Sequence, residues 1–135
     1  MAISQDGTSL SLADHGRFYD PIQTGNPWWY YFPSLAANRA GDMVLGFSGS
    51  TATNYISAFY TWRLGCGSVL QQPVLLQAGT VKPAVSRWGD YSATALDPTD
   101  GFSVWTVQEY AEPVSFHGTM PSKWGTVVSR IKPHR

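Results

Sequence analysis

The segment RWGDYSATALDPTDGFSVWTVQEY, residues 87–110, contains two alternating runs on either side of a turn. The runs YSATAL and FSVWTVQ are rich in aromatic and β-branched residues, as half-buried strands are. Between them, DPTDG combines residues that tolerate left-handed backbone with a proline that pre-sets φ. The segment therefore predicts a β-hairpin.

A second hairpin of the same design lies earlier in the chain. PSLAA at 33–37 and MVLGFS at 43–48 flank the turn NRAGD, and Ser34 lies 58 positions before Ser92. A third strand follows each hairpin, AFYTWR at 58–63 and TVVSR at 126–130, and residues 72–77 add a fourth to the first copy. The sequence thus predicts a repeated β-meander.

The composition supports an all-β chain. The 135 residues include 14% aromatics, 13 glycines and 9 prolines, a mixture that suits short strands joined by tight turns. Nine basic and nine acidic side chains cancel, so no net charge attracts nucleic acid or an anionic membrane. We therefore predict neither as a partner.

The alternation predicts eight antiparallel strands and almost no helix. These strands predict a single segment of the all-β class over residues 1–135. The approximate bounds of the strands are residues 9–13, 33–37, 43–48, 56–64, 72–77, 91–96, 102–108 and 124–131.

Four antiparallel strands that recur every roughly 50–60 residues are typical of β-propeller blades. Blade-like repeats would span about residues 33–77 and 91–131, and residues 9–13 would belong to a blade split between the two ends. Small side chains such as Ser34, Ala36 and Ala93 suit the crowded innermost strand. A two-sheet sandwich built from the same strands is the alternative.

Three stretches carry a family resemblance. They are FPSLAANRAGDMVLGFSGSTATNYISAFYTWR at 32–63, RWGDYSATALDPTDGFSVWTVQEYA at 87–111 and WGTVVSRIKP at 124–133. Together they resemble the C-terminal blades of bacterial sialidase-like (BNR/Asp-box) β-propeller proteins. SQDGT at 4–8 is similar to an Asp-box, the turn between the third and fourth strands of such blades, but is one residue short and lacks the closing tryptophan.

About two blades cannot close a ring, so their outer faces and sheet edges would stay bare. Three explanations are open: a fragment of a longer parent chain, an open pair of blades, or a head-to-tail oligomer. In the oligomer the N-terminal strand of one copy would complete the last blade of the next, and three copies would give six blades. The predicted partners are therefore the parent chain, a second copy, and a glycan.

One face of a propeller collects the connections that lead into the innermost strands and those between the second and third strands. Residues 27–31, 51–55, 86–90 and 109–123 would lie there. Aromatic rings stack on sugars, and arginine pairs with carboxylates. The candidate ligand-binding residues are Trp28, Trp29, Tyr30, Tyr31, Asn54, Tyr55, Arg87, Trp88, Asp90, Glu109, Tyr110 and His117.

Each candidate also has a structural interpretation. The aromatic side chains would pack neighbouring blades together, and Arg87 would pair with Asp90 to fix a corner. His117 would be a solvated loop histidine. Aspartates in turns would accept backbone N–H groups: Asp42, Asp97 and Asp100.

The sequence favours a non-catalytic module, structural or glycan-binding. The alternative is part of a sialidase-like glycoside hydrolase, which needs an arginine cluster, a Tyr–Glu nucleophile pair and an acid/base aspartate. Glu109 and Tyr110 supply those types, but adjacent residues of a strand point to opposite faces. No metal-ligand spacing, phosphate loop or serine with a histidine partner is recognisable, so we predict no metal or cofactor.

The compartment stays open. The single Cys66 forms no internal disulfide, and the first residues lack the basic and apolar regions of a signal peptide. A longer parent protein would be secreted or displayed at the cell surface if an export signal preceded this segment.

Overall fold

The computed structural model describes residues 2–3, 10–11, 15–22, 24–65, 69–84, 86–113 and 123–133, and it is all-β there. The strands in these ranges are β1 Ala2–Ile3, β2 Leu10–Ser11, β3 Trp29–Ala37, β4 Met43–Ser50, β5 Ser57–Arg63, β6 Val74–Gln77, β7 Ala93–Leu96, β8 Val104–Glu112 and β9 Lys123–Ile131.

The strands form two antiparallel meanders in sequence order. β3, β4, β5 and β6 make a four-stranded first sheet, and β7, β8 and β9 make a three-stranded second sheet. The predicted all-β class with antiparallel pairing is therefore confirmed. β2 pairs with β1 in a separate two-stranded sheet, and the assignment of residues 9–13 to a split blade stays a prediction.

The two hairpin turns use the same device. Asn38 Oδ1 accepts the Ala40 N–H, and Asp97 Oδ1 accepts the Thr99 N–H, each two positions further along the chain. Both side chains are buried, so each turn is held by a side chain that replaces water as the acceptor. The predicted role of Asp97 as a turn acceptor is thus confirmed.

At the turns, equivalent residues of the two meanders are 59 positions apart, not 58 as the alignment of Ser34 with Ser92 predicts. Ala37 pairs with Met43 across the first turn, and Leu96 pairs with Val104 across the second. Leu96 lies 59 positions after Ala37, so Ser34 and Ser92 are offset by one. The difference arises because alternation defines a strand but does not fix the position of its last residue.

The first and second sheets pack face to face, with β3 against β7 and β4 against β8. Val44, Val104 and Ile131 form the buried apolar core between the sheets, near the turns. Partly buried side chains surround it: Ala36, Tyr60, Trp62 and Leu96. The hydrophobic stabilisation of this contact is thus concentrated at its turn end.

Further from the turns the contact between the sheets is polar. Ser34 Oγ lies 2.6 Å from Thr94 Oγ1, which lies 2.9 Å from Thr106 Oγ1. Gln108 Nε2 donates to both Thr106 and Ser34. A Cβ built at Gly46 would collide with the Gln108 and Thr106 side chains, so only glycine permits this close approach. We call the set of Ser34, Gly46, Thr94, Thr106 and Gln108 the polar seam.

Two predicted connections are strands instead. Residues 29–31, expected in the loop before the first strand, extend β3 because β4 continues to Ser50 and pairs with them. Glu109 and Tyr110, expected in the 109–123 loop, lie within β8 and pair with Thr126 and Gly125 of β9. Aromatic residues favour a pleated strand when a partner strand is present, which local sequence does not reveal.

A bulge interrupts β3 between Tyr31 and Ser34. Phe32 lies in it with a φ of 52°, in the left-handed region that bulky residues rarely adopt. Its ring packs against Gly89, where a Cβ would collide with it. The bulge therefore directs the Phe32 side chain toward the segment that leads into β7.

Candidate functional site

The segment that leads into β7, residues 86–91, is anchored by a buried carboxylate. Glu109 is 2% exposed, and its two oxygens accept the backbone N–H groups of Gly89 and Tyr91, each at 2.8 Å. Gly89 has a φ of 93°, which lets both N–H groups point at one side chain. We call residues 86–91 the β7 corner.

A second anchor ties the β7 corner to the first sheet. Trp88 Nε1 donates to Ser48 Oγ at 3.1 Å, and Ser48 Oγ lies 3.4 Å from the carbonyl oxygen of Glu109. Ser48 is fully buried. Trp88, a predicted ligand-binding residue, is thus engaged in packing the two sheets together.

Arg87 and Asp90 pair across the corner. The Arg87 Nη2 to Asp90 Oδ2 distance is 2.7 Å, and the two side chains are 81% and 48% exposed. The structural interpretation of this pair is confirmed. An exposed pair contributes little stability, so both groups could exchange this contact for a ligand at low cost.

A pocket of about 370 Å³ opens beside the corner, on the face of the second sheet that points away from the first sheet. Tyr91 and Trp124 stack in its wall, with centroids 5.7 Å apart and planes 9° apart, and Tyr91 is 57% exposed. Its lining also includes Arg87, Trp88, Asp90 and Glu109, four of the predicted residues. The chemistry available is stacking on a ring and hydrogen bonding to polar substituents.

The predicted aromatic cluster before the first strand is largely packed. Tyr30 stacks on Phe18 at 5.2 Å and meets Phe47 edge-on at 5.0 Å, and Trp28 meets Phe59 edge-on at 4.8 Å. Burial, followed by the charge of Asp20, raises the pKa of Tyr30 to about 12. These rings cover one end of the outer face of the first sheet.

Tyr31 and Trp29 differ in exposure. The Tyr31 hydroxyl donates to Ser50 Oγ at 2.9 Å; burial raises the Tyr31 pKa, and the bond to Ser50 opposes this. Trp29 is 68% exposed, so it is the member of the cluster with most surface for a ligand.

The loop between β4 and β5 is tied down by its own hydroxyls. Thr51 Oγ1 accepts both the backbone and side-chain N–H groups of Asn54, and Asn26 bonds to Thr51 and Thr53 from the neighbouring segment. Asn54 is therefore engaged locally, whereas Tyr55 is 47% exposed.

Tyr110 pairs with a carboxylate that the sequence analysis did not assign to it. Its hydroxyl donates to Glu112 Oε2 at 2.8 Å, because residues two apart share a face of β8. This hydrogen bond, with burial and the charge of Glu112, raises the pKa of Tyr110. Glu109 faces the β7 corner instead, so the two neighbours point to opposite faces of β8, as strand alternation predicted. His117 lies outside the described residues.

Three of the described arginines have contacts of their own. Arg87 pairs with Asp90 before β7, whereas Arg130 pairs with Asp97 and Asp100 beyond the other end of β7. Arg63 Nε and Nη2 contact Met43 Sδ. Arg87 and Arg130 are therefore held by aspartates at opposite ends of β7.

The described ranges contain no group of three His, Cys, Asp or Glu side chains that could hold a metal ion. Nor do they contain a helix of the length and apolar character needed to cross a membrane.

Sequence reasoning missed Tyr91 and Trp124 as a pair. Tyr91 was assigned to a strand, and Trp124 lies 33 positions away, opposite Ala111 in the β8–β9 ladder. No local pattern relates the two residues, because the strand order of the second sheet brings them together.

No protein-family model, curated protein or solved structure matches this chain. The resemblance to sialidase-like propeller proteins therefore stays a prediction from the quoted stretches.

Proposed function

We propose that this chain is a non-catalytic β-propeller module that packs neighbouring β-meanders against its two outer faces. The observation that carries the proposal is the contact of β3 with β7 and of β4 with β8, in which one meander lies on the next in the same strand order. Successive blades of a propeller are related in this way. A sandwich of the same strands would bury both sheets in one core and leave polar outer faces.

The outer faces support this proposal because both expose large apolar side chains. Leu35 is 51% exposed on the first sheet, and Val128 is 58% and Trp105 42% exposed on the second. Large apolar side chains exposed together on one face of a sheet are typical of an interface. The module would bind the rest of a parent chain or a further copy of itself.

Binding of a hydrophobic fluorescent dye tests this function. We expect the wild-type protein, diluted until it is monomeric by light scattering, to bind the dye, and Leu35→Lys combined with Val128→Lys to reduce the fluorescence severalfold. Ala40→Lys, in the exposed first turn, is the matched control and should leave the fluorescence unchanged. A monomeric wild-type protein that binds no dye would remove the basis for treating the faces as interaction surfaces.

A second candidate function is glycan binding at the β7 corner. The Tyr91 ring is exposed and stacked on Trp124, and the exposed Arg87 lies beside it. These features favour glycan binding, since aromatic rings stack on sugars and polar groups hydrogen-bond to sugar hydroxyls. On a glycan array, Tyr91→Ala should abolish any binding that the wild type shows. Trp29→Ala is the control, and loss of binding in that variant alone would move the site to the chain before β3.

The hydrolase alternative depends on Tyr110 and Glu112. A hydroxyl held by a carboxylate is the arrangement of an activated nucleophile, but Arg87 and Arg130 already pair with aspartates of this chain. A fluorogenic sialoside should not be turned over by the wild type. Turnover that Glu112→Gln abolishes would overturn the non-catalytic assignment.

A further inference from the structure

We infer that the outer face of the second sheet docks on the outer face of the first sheet of another copy of this chain, head to tail. The inference rests on the proposed module function and names the neighbour. The contact would be heterologous, because two different surfaces meet.

Strand register defines the two faces. Thr106 and Gln108 point into the polar seam, so Trp105 and Val107 point outward, and Val128 lies opposite Val107 in β9. The position of the Trp105 ring is fixed by a hydrogen bond that its Nε1 donates to Asp97 Oδ2. We call this surface the outer face of the second sheet.

The outer face of the first sheet is a groove of about 1480 Å³. Leu35 pairs with Leu45 on its floor, on the side opposite Ser34 and the polar seam. The rings of Trp28 and Tyr30 line one end. A concave apolar surface on one sheet and projecting apolar side chains on the other are complementary in shape.

The contact inside one copy is the template for the contact between copies. Met43 is the first residue of β4 and Val104 the first residue of β8, and the two are 61 positions apart in the sequence. Glu109 therefore occupies in the second sheet the position that Ser48 occupies in the first. Within the chain, Ser48 accepts the indole N–H of Trp88 from the next meander.

Trp28 is the counterpart of Trp88. At the turns, equivalent residues of the two meanders are 59 positions apart in the sequence. The β3 bulge contains one extra residue, so equivalent residues that precede the bulge are 60 positions apart, as Trp28 and Trp88 are. Trp28 lines the groove, and its indole nitrogen has no acceptor in the described part of the chain. In the docked pair it would point at Glu109 of the preceding copy, where each carboxylate oxygen retains a free lone pair.

The size of the faces is sufficient. β7, β8 and β9 have four, nine and nine residues. At about 4.8 Å between strands and about 3.3 Å per residue, they give a face of roughly 350 Å². Two flat faces bury about 700 Å², and projecting side chains raise this toward the ~1,000 Å² of a specific interface. The formal net charge of zero removes long-range repulsion between copies.

Mass in solution, measured by light scattering over a concentration series, tests the inference. We expect the wild type to have a mass of at least twice 14.8 kDa, and each single variant, Leu35→Glu or Val128→Glu, to have the monomer mass of 14.8 kDa. Mixing the two variants should restore a species of twice that mass, because each retains the face that the other lacks. Ala40→Glu should behave as the wild type.

The outcomes separate this inference from the module function. A monomeric wild type that binds the hydrophobic dye overturns self-association and leaves the faces to a parent chain. A monomeric wild type without dye binding overturns both. A mixture that stays at the monomer mass overturns head-to-tail docking. Leu35→Ser and Val128→Ser repeat the test if a charged variant loses its circular dichroism signature.

Discussion

The first and second sheets occupy equivalent places with different chemistry. Where the first sheet has neutral Asn38 in its turn and neutral Ser48 at its far end, the second has Asp97 and Glu109. Asn38 and Asp97 accept equivalent backbone N–H groups of the two turns, whereas Ser48 accepts an indole N–H and Glu109 accepts two backbone N–H groups. The carboxylates of the second sheet form stronger bonds than the neutral side chains of the first, but their charge must be kept in place.

In the second turn, side-chain donors hold the charge of the carboxylates in place. Asp97 Oδ2 accepts from Trp105 Nε1 and from Arg130 Nε, and Asp100 Oδ2 accepts from Arg130 Nη2. The first turn needs no such cation, because Asn38 donates from its own amide to Asp42 and to the carbonyl oxygen of Phe102. We conclude that folding of the second sheet depends on pH and charge more than folding of the first.

The largest difference in stability between equivalent positions of the two sheets is expected at Glu109. Glu109→Ala removes the acceptor of two backbone N–H groups, and bonds to a charged group are worth about 1.5–3 kcal/mol each, so we expect a loss of about 3 kcal/mol. Ser48→Ala, at the equivalent place in the first sheet, should cost about 1 kcal/mol. Urea unfolding measures both. Equal losses at the two positions would contradict the comparison.

The next effect is at the polar seam. Gly46→Ala introduces a Cβ where Gln108 and Thr106 already lie, and overpacking costs about 1–3 kcal/mol. Gly16→Ala is the control, because no atom lies within 4 Å of a Cβ there. Thermal unfolding should separate the variants clearly. A Gly46→Ala protein as stable as the wild type would mean that the sheets do not approach each other at this point.

Acid should affect the second turn selectively. The Thr99 hydroxyl lowers the pKa of Asp97, and the Ser103 backbone N–H lowers the pKa of Asp100. A carboxyl with a lowered folded-state pKa adds stability above its unfolded value, here 3.8, and loses it as the pH falls through the folded pKa.

Replacement of both residues, Asp97→Asn with Asp100→Asn, should therefore reduce the free energy of unfolding at neutral pH. The difference from the wild type should shrink as the pH falls below 3.8. Chemical denaturation across that range measures it. A difference that stays constant at the lowest pH would show that the two carboxyls do not stabilise the turn by their charge.

The smallest effect is expected at Arg87. Its side chain is 81% exposed, so Arg87→Ala should change the free energy of unfolding by less than about 0.5 kcal/mol. Any loss of glycan binding in this variant would then be due to the site itself. A loss of stability close to that of Glu109→Ala would make Arg87 part of the fold.

Much of the fold was predictable from local sequence. Period-two alternation and the turns NRAGD and DPTDG gave the class, the order of the strands and both hairpins, because these signals act over a few residues. The lengths of β3 and β8 were not predictable, since each continues past its local pattern where a neighbouring strand supplies hydrogen bonds.

The candidate site was predictable only in part. The pairing of Arg87 with Asp90 follows from spacing around a glycine. Tyr91 and Trp124, 33 positions apart, are brought together by the strand order of the second sheet, and Ser34 and Thr94, 60 positions apart, by the packing of the two sheets. The polar seam could not be foreseen, because its hydroxyls resemble ordinary surface residues of alternating strands.

A cross-link through the polar seam tests the stacking of the two meanders most directly. Ser34→Cys with Thr94→Cys, in a Cys66→Ser background, places two thiols where the hydroxyl oxygens are 2.6 Å apart. Mild oxidation should give an intramolecular disulfide within the folded monomer, seen as a gel-mobility shift reversed by reductant. Ser34→Cys with Thr126→Cys, on the outer face of the second sheet, should not. A folded Ser34→Cys, Thr94→Cys protein that forms no such disulfide would contradict the stacking.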